Sequence, residues 1–245
     1  MNLFSSILLG VLQGLTEFLP ISSSGHLVIA QSLIPGFNQP GVLFNVVLHG
    51  GTVLAVLYYF REQLLKINSK YLLLLLVGTI PAGIIGLFLG SFIEGLFDNV
   101  RLVGFALIIT GILNFLTDKA KAKGKKILIK DSLLIGVTQA LAIIPGISRS
   151  GATIFAGTSM GVKREEAAKF SFLLSIPAIV GANVLQFINH TAVVIDGAGF
   201  YLAGFLAAFF SGVLTINLVL KFLLSRKFRV FSLYCLIVGI LVLIL

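Results

Sequence analysis

Apolar stretches follow one another from end to end of this chain, parted only by short loops, and no polar segment is long enough to fold separately. Runs of about twenty apolar residues are the length a helix needs to cross about 30 Å of hydrocarbon. Of the 245 residues, 58% are hydrophobic and 11% are charged, with a mean hydropathy of +1.08; an ordinary soluble domain carries about 25% charged residues. A soluble catalytic domain is therefore excluded, and any chemistry takes place among membrane helices. The expected fold class is all-α and integral to a membrane.

Five segments have the length and apolarity of full spans: Phe44 to Phe60, Tyr71 to Phe92, Val100 to Leu116, Phe170 to Phe187 and Phe200 to Leu220. Val230 to Leu245 makes a sixth, somewhat short. Residues 3 to 34 and 131 to 162 are also apolar, but Pro, Gly and Ser split each near its middle, and neither half alone is long enough to span.

Loop charge decides what the split stretches do. If each enters partway and returns, the loops 61 to 70, 118 to 131, 163 to 169 and 221 to 229 share one side and hold all the basic residues except Arg101 and Arg149. A single crossing by 131 to 162 would put the last basic loop opposite the others, against the bias of Lys and Arg toward cytoplasmic loops. Both stretches read as re-entrant, with both termini outside; two thin full crossings per stretch would satisfy the same parity, although about 14 residues of helix reach only about 21 Å. The net charge of +9 then belongs to cytoplasmic loops, and no nucleic-acid partner is expected. The lone Cys235 gives no disulfide framework, and the N-terminal stretch, broken by Gln13, Glu17 and Pro20, lacks the pattern of a cleavable signal.

The split stretches resemble each other. At a fixed offset of 126 residues, Gly10, Val11, Gln13, Leu15, Ile21, Ser22, Ser24 and Gly25 meet identical residues at Gly136, Val137, Gln139, Leu141, Ile147, Ser148, Ser150 and Gly151. Three spans lie between the copies, an odd number, so the repeat is inverted, with halves 1–117 and 118–245. Broken tips of inverted repeats meet near the bilayer midplane and form sites there, since non-helical backbone at that depth must be buried or line a wet cavity.

The first tip carries Gln13 and Glu17 on one helix face, then Pro20, which ends that helix, then Ser22, Ser23, Ser24, Gly25 and His26. The second carries Pro145, Gly146, Ser148, Arg149, Ser150, Gly151 and Thr153. Hydroxyls at a helix start, with its exposed N–H groups, favour an anion, and Arg149 adds a forked donor suited to phosphate. Ser and Thr here can also serve as helix glue, and Glu17 and Arg149 can form a purely structural ion pair. Ionisable groups at mid-membrane are costly, however, which marks a site. Beside Ser, Glu and Arg, His26 reads as a proton-transfer group, although taken alone it would read as buried and hydrogen-bonded. Asn45 and His49, and the glycine pairs Gly86 with Gly90 and Gly157 with Gly161, read as helix packing. His190 and Asp196 receive no role. No nucleotide-binding motif is present.

The run Gln13-x-x-x-Glu17-Phe-Leu-Pro-Ile-Ser-Ser-Ser-Gly-His26, with Pro145-Gly-Ile-Ser-Arg-Ser-Gly-Ala-Thr153, resembles the motifs of the undecaprenyl-diphosphate phosphatase family, the bacitracin-resistance type. Phe170 to Pro177 and the span from Phe44 extend the likeness over the whole chain. The resemblance implies hydrolysis of a polyprenyl diphosphate to the lipid monophosphate carrier used in cell-wall assembly, within a cell membrane; the site is expected to open to the outer side. It implies a divalent cation, magnesium or calcium, held by Glu17 with Gln13. It assigns Glu17, His26, Arg149 and Ser23 to catalysis, and Ser22, Ser24, Gly25, Gly146, Ser148, Ser150 and Thr153 to substrate binding. Gln13 stands where some members carry a carboxylate, and Asn45 and His49 stand where a Glu and a Gln are expected. The rival reading is a secondary transporter or lipid flippase, because inverted repeats with broken helices are above all a transporter design. Lipid phosphatases of the acid-phosphatase type are set aside, since no His follows Arg149 before His190.

Overall fold

A computed structural model describes residues 2–33, 41–97, 99–189 and 198–244; His190 and Asp196 lie outside these. The described residues form helices, with no strand beyond a single backbone bridge between Lys125 and Val162. In chain order they are α1 (Leu3–Phe18), α2 (Ser23–Leu33), α3 (Gly41–Tyr59), α4 (Arg61–Leu64), α5 (Ser69–Leu96), α6 (Val100–Lys119), α7 (Ile129–Leu141), α8 (Arg149–Ser159), α9 (Arg164–Asn189), α10 (Ala198–Leu224) and α11 (Arg229–Ile244).

Four of them, α5, α6, α9 and α10, are long and apolar enough to cross a membrane, and α3 and α11 are shorter apolar helices. The 16 residues of α11 reach about 24 Å at 1.5 Å per residue, in keeping with the short last stretch seen in the sequence. The outer surface carries large apolar side chains such as Phe88, Phe92, Phe210 and Leu214, a coat that suits lipid and not water.

Both sequence breaks are breaks in the structure, each for a local reason. Asn2 caps α1 by accepting from the Ser5 N–H at 2.8 Å. Leu19 then turns extended, φ −60° and ψ 140°, the region imposed on a residue before proline. Ser22 takes φ +71° before α2 begins. In the second copy Gly146 takes φ +96°, and a Cβ there would lie 2.6 Å from both the Val103 carbonyl oxygen and Ala106 Cβ, so the turn demands glycine twice over. Ser148 caps α8, its hydroxyl accepting from the Gly151 N–H at 3.1 Å.

Close packing relies on small residues, as it must where lipid supplies no hydrophobic drive between helices. Gly10 and Gly14 of α1 lie against the Gly204 and Ala208 carbonyls of α10, and Gly136 of α7 lies against Gly78 of α5. Gly104 and Gly111 of α6 face α11. Phe18, Phe60, Phe170, Phe172 and Phe228 belong to the buried apolar cluster beneath the breaks, with Phe18 set edge-on to Phe172 at 5.6 Å. Arg164 fastens the end of α6, donating to the Thr117, Asp118 and Ala120 carbonyls, where a cation suits the negative end of the helix.

Two packing expectations need correction. A Cβ on Gly86 or Gly90 would meet nothing within 4 Å, so neither makes a close helix contact. Gly157 does, with Ala167 Cβ at 2.9 Å from such a Cβ, but Gly161 sits at φ +89° in a turn.

Candidate active site

The two breaks lie against each other. A Cβ on Gly25 would come 3.0 Å from Gly146 Cα, and the Ser150 hydroxyl donates to the Leu19 carbonyl at 3.3 Å. One helix holds both tips: on α6, Thr110 donates to the Gly146 carbonyl at 2.8 Å and accepts from the Ser148 N–H at 2.9 Å, while Asn114 donates to the Pro20 carbonyl at 2.6 Å. Neither residue stands out in the sequence beyond being a polar pair, four apart, in an apolar span.

Glu17 is the hub. Its Oε2 accepts from Gln13 Nε2 at 2.9 Å and from the Ser23 hydroxyl at 2.6 Å. Its Oε1 pairs with Arg149 Nη2, which crosses from the other tip. Arg149 Nη1 donates to the Ser171 carbonyl at 3.3 Å, and the five N–H donors of a guanidinium leave others for an incoming anion. The Glu17 side chain is 6% exposed, and a buried carboxylate is tolerated only when paired and hydrogen-bonded.

Beside this hub opens a cavity of about 480 Å³. Its polar end is made by Thr16, Glu17, Ser22, Ser23, Ser24, His49, Ser148 and Arg149, and the rest of its wall is largely apolar, drawn from α5, α7 and α9. His49, read from sequence as packing, belongs to the site, with Nε2 3.9 Å from Glu17 Oε2. The signal available was a titratable side chain inside an apolar span. Ser171, also missed, bonds the Thr153 hydroxyl at 2.6 Å.

Not every expected site residue faces the cavity. Gln13 stands behind Glu17, wholly buried, with its Oε1 unpartnered. Gly25, Gly146 and Ser150 tie the tips together, Thr153 ties α8 to Ser171 of α9, and none of the four lines the opening. His26 is turned away: Nδ1 meets the Ser22 carbonyl at 2.8 Å, Nε2 meets the Tyr234 hydroxyl of α11 at 2.8 Å, and the two rings stack. A carbonyl can only accept, so Nδ1 carries the proton and, in a neutral ring, Nε2 accepts from Tyr234.

Among the described residues no group of three His, Cys, Asp or Glu side chains could hold a metal ion. The cavity offers one carboxylate, Glu17, with the hydroxyls of Ser22, Ser23 and Ser24. Such a set of hard oxygens fits magnesium or calcium where phosphate oxygens complete the shell, as is usual for magnesium.

A charged, hydroxyl-rich end opening into a largely apolar cavity, among helices coated for lipid, defines a membrane-embedded site for an amphiphile with an anionic head. The comparisons agree with that class. The family model for bacitracin resistance protein BacA matches residues 6–241, and the chain belongs to that family of multi-pass membrane proteins. It is 43% identical to the undecaprenyl-diphosphatase of Syntrophotalea carbinolica, over 98% of this chain and 97% of the relative. It is 42% identical to that of Halothermothrix orenii, over 100% and 98%, and 36% identical to that of Methanosphaera stadtmanae, over 100% and 98%.

Proposed function

We propose that the protein hydrolyses undecaprenyl diphosphate to undecaprenyl phosphate and inorganic phosphate, recycling the lipid carrier for cell-wall synthesis. The observation that carries the chemistry is the set of contacts joining Gln13, Glu17, Ser23 and Arg149 at the charged end of an apolar cavity. A nucleophile within hydrogen-bond reach of a base, which is itself oriented by a third group, is the general signature of covalent catalysis. Ser23 is the nucleophile in this reading, Glu17 the base, and Gln13 the orienting group.

The diphosphate enters with its terminal phosphoryl group beside Ser23. Its charge draws the Arg149 fork from Glu17 onto phosphate oxygens, which leaves the carboxylate free to take the Ser23 proton. Ser23 Oγ bonds to the terminal phosphorus as the bridging P–O bond breaks, and the lipid monophosphate departs. The departing lipid phosphate takes the proton from Glu17, so the carboxylate is free again to deprotonate a water that cleaves the phosphoserine; the proton returns to Ser23 Oγ and inorganic phosphate leaves. The starts of α2 and α8 and the Ser22, Ser24 and Ser148 hydroxyls stabilise the charge on the phosphoryl oxygens. A divalent cation, magnesium or calcium, would be held by Glu17 and by the diphosphate itself, and would polarise the phosphoryl group. With both ring nitrogens engaged, His26 serves this reaction by holding the first tip, and proton transfer falls to Glu17.

The arrangement in the bilayer belongs to the same reading: two inverted halves, 1–117 and 118–245, six spans, two re-entrant stretches, and a site open to the outer side. Its support is the exchange of partners between the copies. Helix α1 packs on α10 while its counterpart α7 packs on α5, and the counterparts α3 with α9, and α6 with α11, pack on each other. Transport would use the same architecture, but the names carried by the relatives favour the enzyme.

Phosphate release from undecaprenyl diphosphate by purified protein in detergent, with and without chelator, tests the proposal. Release that stops with chelator and returns with magnesium or calcium is the expected result. No release under any cation refutes the enzyme.

A further inference from the structure

His49 reaches the cavity from α3 with one ring nitrogen already committed. Its Nδ1 meets the Asn45 carbonyl at 2.8 Å, one turn back on the same helix. A carbonyl only accepts, so Nδ1 carries the proton, and in the neutral ring Nε2 presents a lone pair. That nitrogen stands 3.9 Å from Glu17 Oε2, on a side chain that lines the cavity and is 28% exposed. Two electron-pair donors thus face each other across a gap too wide for a hydrogen bond. A protonated ring would close on the carboxylate to about 2.8 Å, which is not the distance seen.

The gap has the width of a shared metal ion. Two atoms that each ligate one small divalent cation at about 2.1 Å are between about 3.0 Å apart, at a right angle, and about 4.2 Å apart, in line. Metal-bound imidazoles commonly donate their other N–H to a carbonyl, which fixes the tautomer and the ring, and Asn45 supplies that carbonyl here. The separation is also built in by packing. A Cβ on Gly14, one turn before Glu17, would lie 2.5 Å from the Ala208 carbonyl oxygen, and a Cβ on Gly51, two residues after His49, 2.5 Å from that of Phe205. Both α1 and α3 are therefore seated on α10, and one helix sets the distance between their side chains.

Charge favours a cation at the same point. Once the incoming diphosphate draws Arg149 away, the buried Glu17 carboxylate lacks a positive partner, and a charge buried without one is costly. We infer that His49 Nε2 is a ligand, together with the Glu17 carboxylate, of the divalent cation that accompanies the diphosphate, and that it tunes the site toward a first-row transition cation. The inference rests on the reading of Glu17 and the diphosphate as holders of that cation. Magnesium and calcium take oxygen ligands, so they bind through the carboxylate and the phosphate oxygens and gain nothing from the ring. Imidazole suits transition cations, which gain one bond more.

The probe is Mn2+, added to the full-length protein in detergent with excess undecaprenyl phosphate. Pulsed electron paramagnetic resonance of the wild type should show the nitrogen couplings of a ligated imidazole, and labelling histidine with 15N should change them. His49→Gln and His49→Ala should both lose the couplings, and at least one of them should melt at the wild-type temperature. The Kd for Mn2+ should rise about tenfold or more, the scale on which disturbing a metal ligand is felt, while the Kd for Mg2+ in His49→Gln should not rise. A wild type that binds no Mn2+, Mn2+ bound without nitrogen coupling, or couplings that survive in His49→Gln would each overturn the ligation. Equal losses of Mn2+ and Mg2+ affinity would overturn the tuning. Because binding needs no turnover, a protein that shows histidine-bound Mn2+ but releases no phosphate under any cation would refute the enzyme and leave the cation site standing.

Discussion

Replacing Arg149 separates a catalytic contact from a structural one. In Arg149→Lys the charge facing Glu17 survives, while the fork that also reaches the Ser171 carbonyl is lost. If the guanidinium moves to the phosphoryl group during reaction, at least one charge-assisted hydrogen bond in the transition state goes with it, worth about 1.5 to 3 kcal/mol. At about 1.4 kcal/mol per factor of ten, kcat should fall about ten- to a hundredfold, with the melting temperature near wild type. Arg149→Ala leaves Glu17, with a side chain 6% exposed, hydrogen-bonded to Gln13 and Ser23 and without its guanidinium partner. Breaking a buried pair in this way costs about 3 to 5 kcal/mol, so that variant should be clearly destabilised as well as inactive. The assay is phosphate release under single-turnover conditions beside thermal unfolding in the same detergent. A Lys variant with wild-type kcat would refute the phosphate contact and leave Arg149 as the partner of Glu17 alone.

Ser23→Ala should lose about a thousandfold or more in kcat if the hydroxyl is the nucleophile, because residues of one catalytic unit each cost nearly the whole effect; a loss of under tenfold would assign the attack to water. Tyr234→Phe removes the donor to His26 Nε2 and should destabilise the fold by about 1 kcal/mol, and a double variant with His26→Ala should add little more, whereas full additivity would show that the two act separately. Cysteines introduced at Lys123 and Asn99, in a background where Cys235 is replaced, should react with impermeant reagents from opposite sides of the membrane. Same-side reaction would overturn the proposed inversion of the halves.

The breaks at Pro20 and Gly146 were legible because their causes are local: proline dictates the backbone of the residue before it, and a left-handed turn favours glycine. The pairing of Gln13 with Glu17 was legible because four residues make a helix turn. What crosses from one helix to another was not. The partner of His26 is Tyr234, 208 residues away, and no periodicity says which face of α11 meets α2, so the contact that turns this ring from the cavity was hidden. His49 was missed for the converse reason: its own helix gave it a packing position, and only the approach of α1 brings Glu17 within 3.9 Å. Gly86 and Gly90 have the spacing of a helix contact, but spacing does not say whether a neighbour is there.

Thr110 and Asn114 stand one turn apart on α6, about 6 Å along its axis, one holding the second tip and the other the first. The helix thus acts as a gauge block: the gap between the tips is set by the pitch of a single rigid element and not by two loops settling independently. During biogenesis the early half leaves the ribosome with α6 already in it, carrying the seat for a tip not yet made. A chain severed within 121–127 would therefore yield a late half whose Gly146 turn has nothing to fold against until the early half is present, and working protein should return only when both pieces are inserted together.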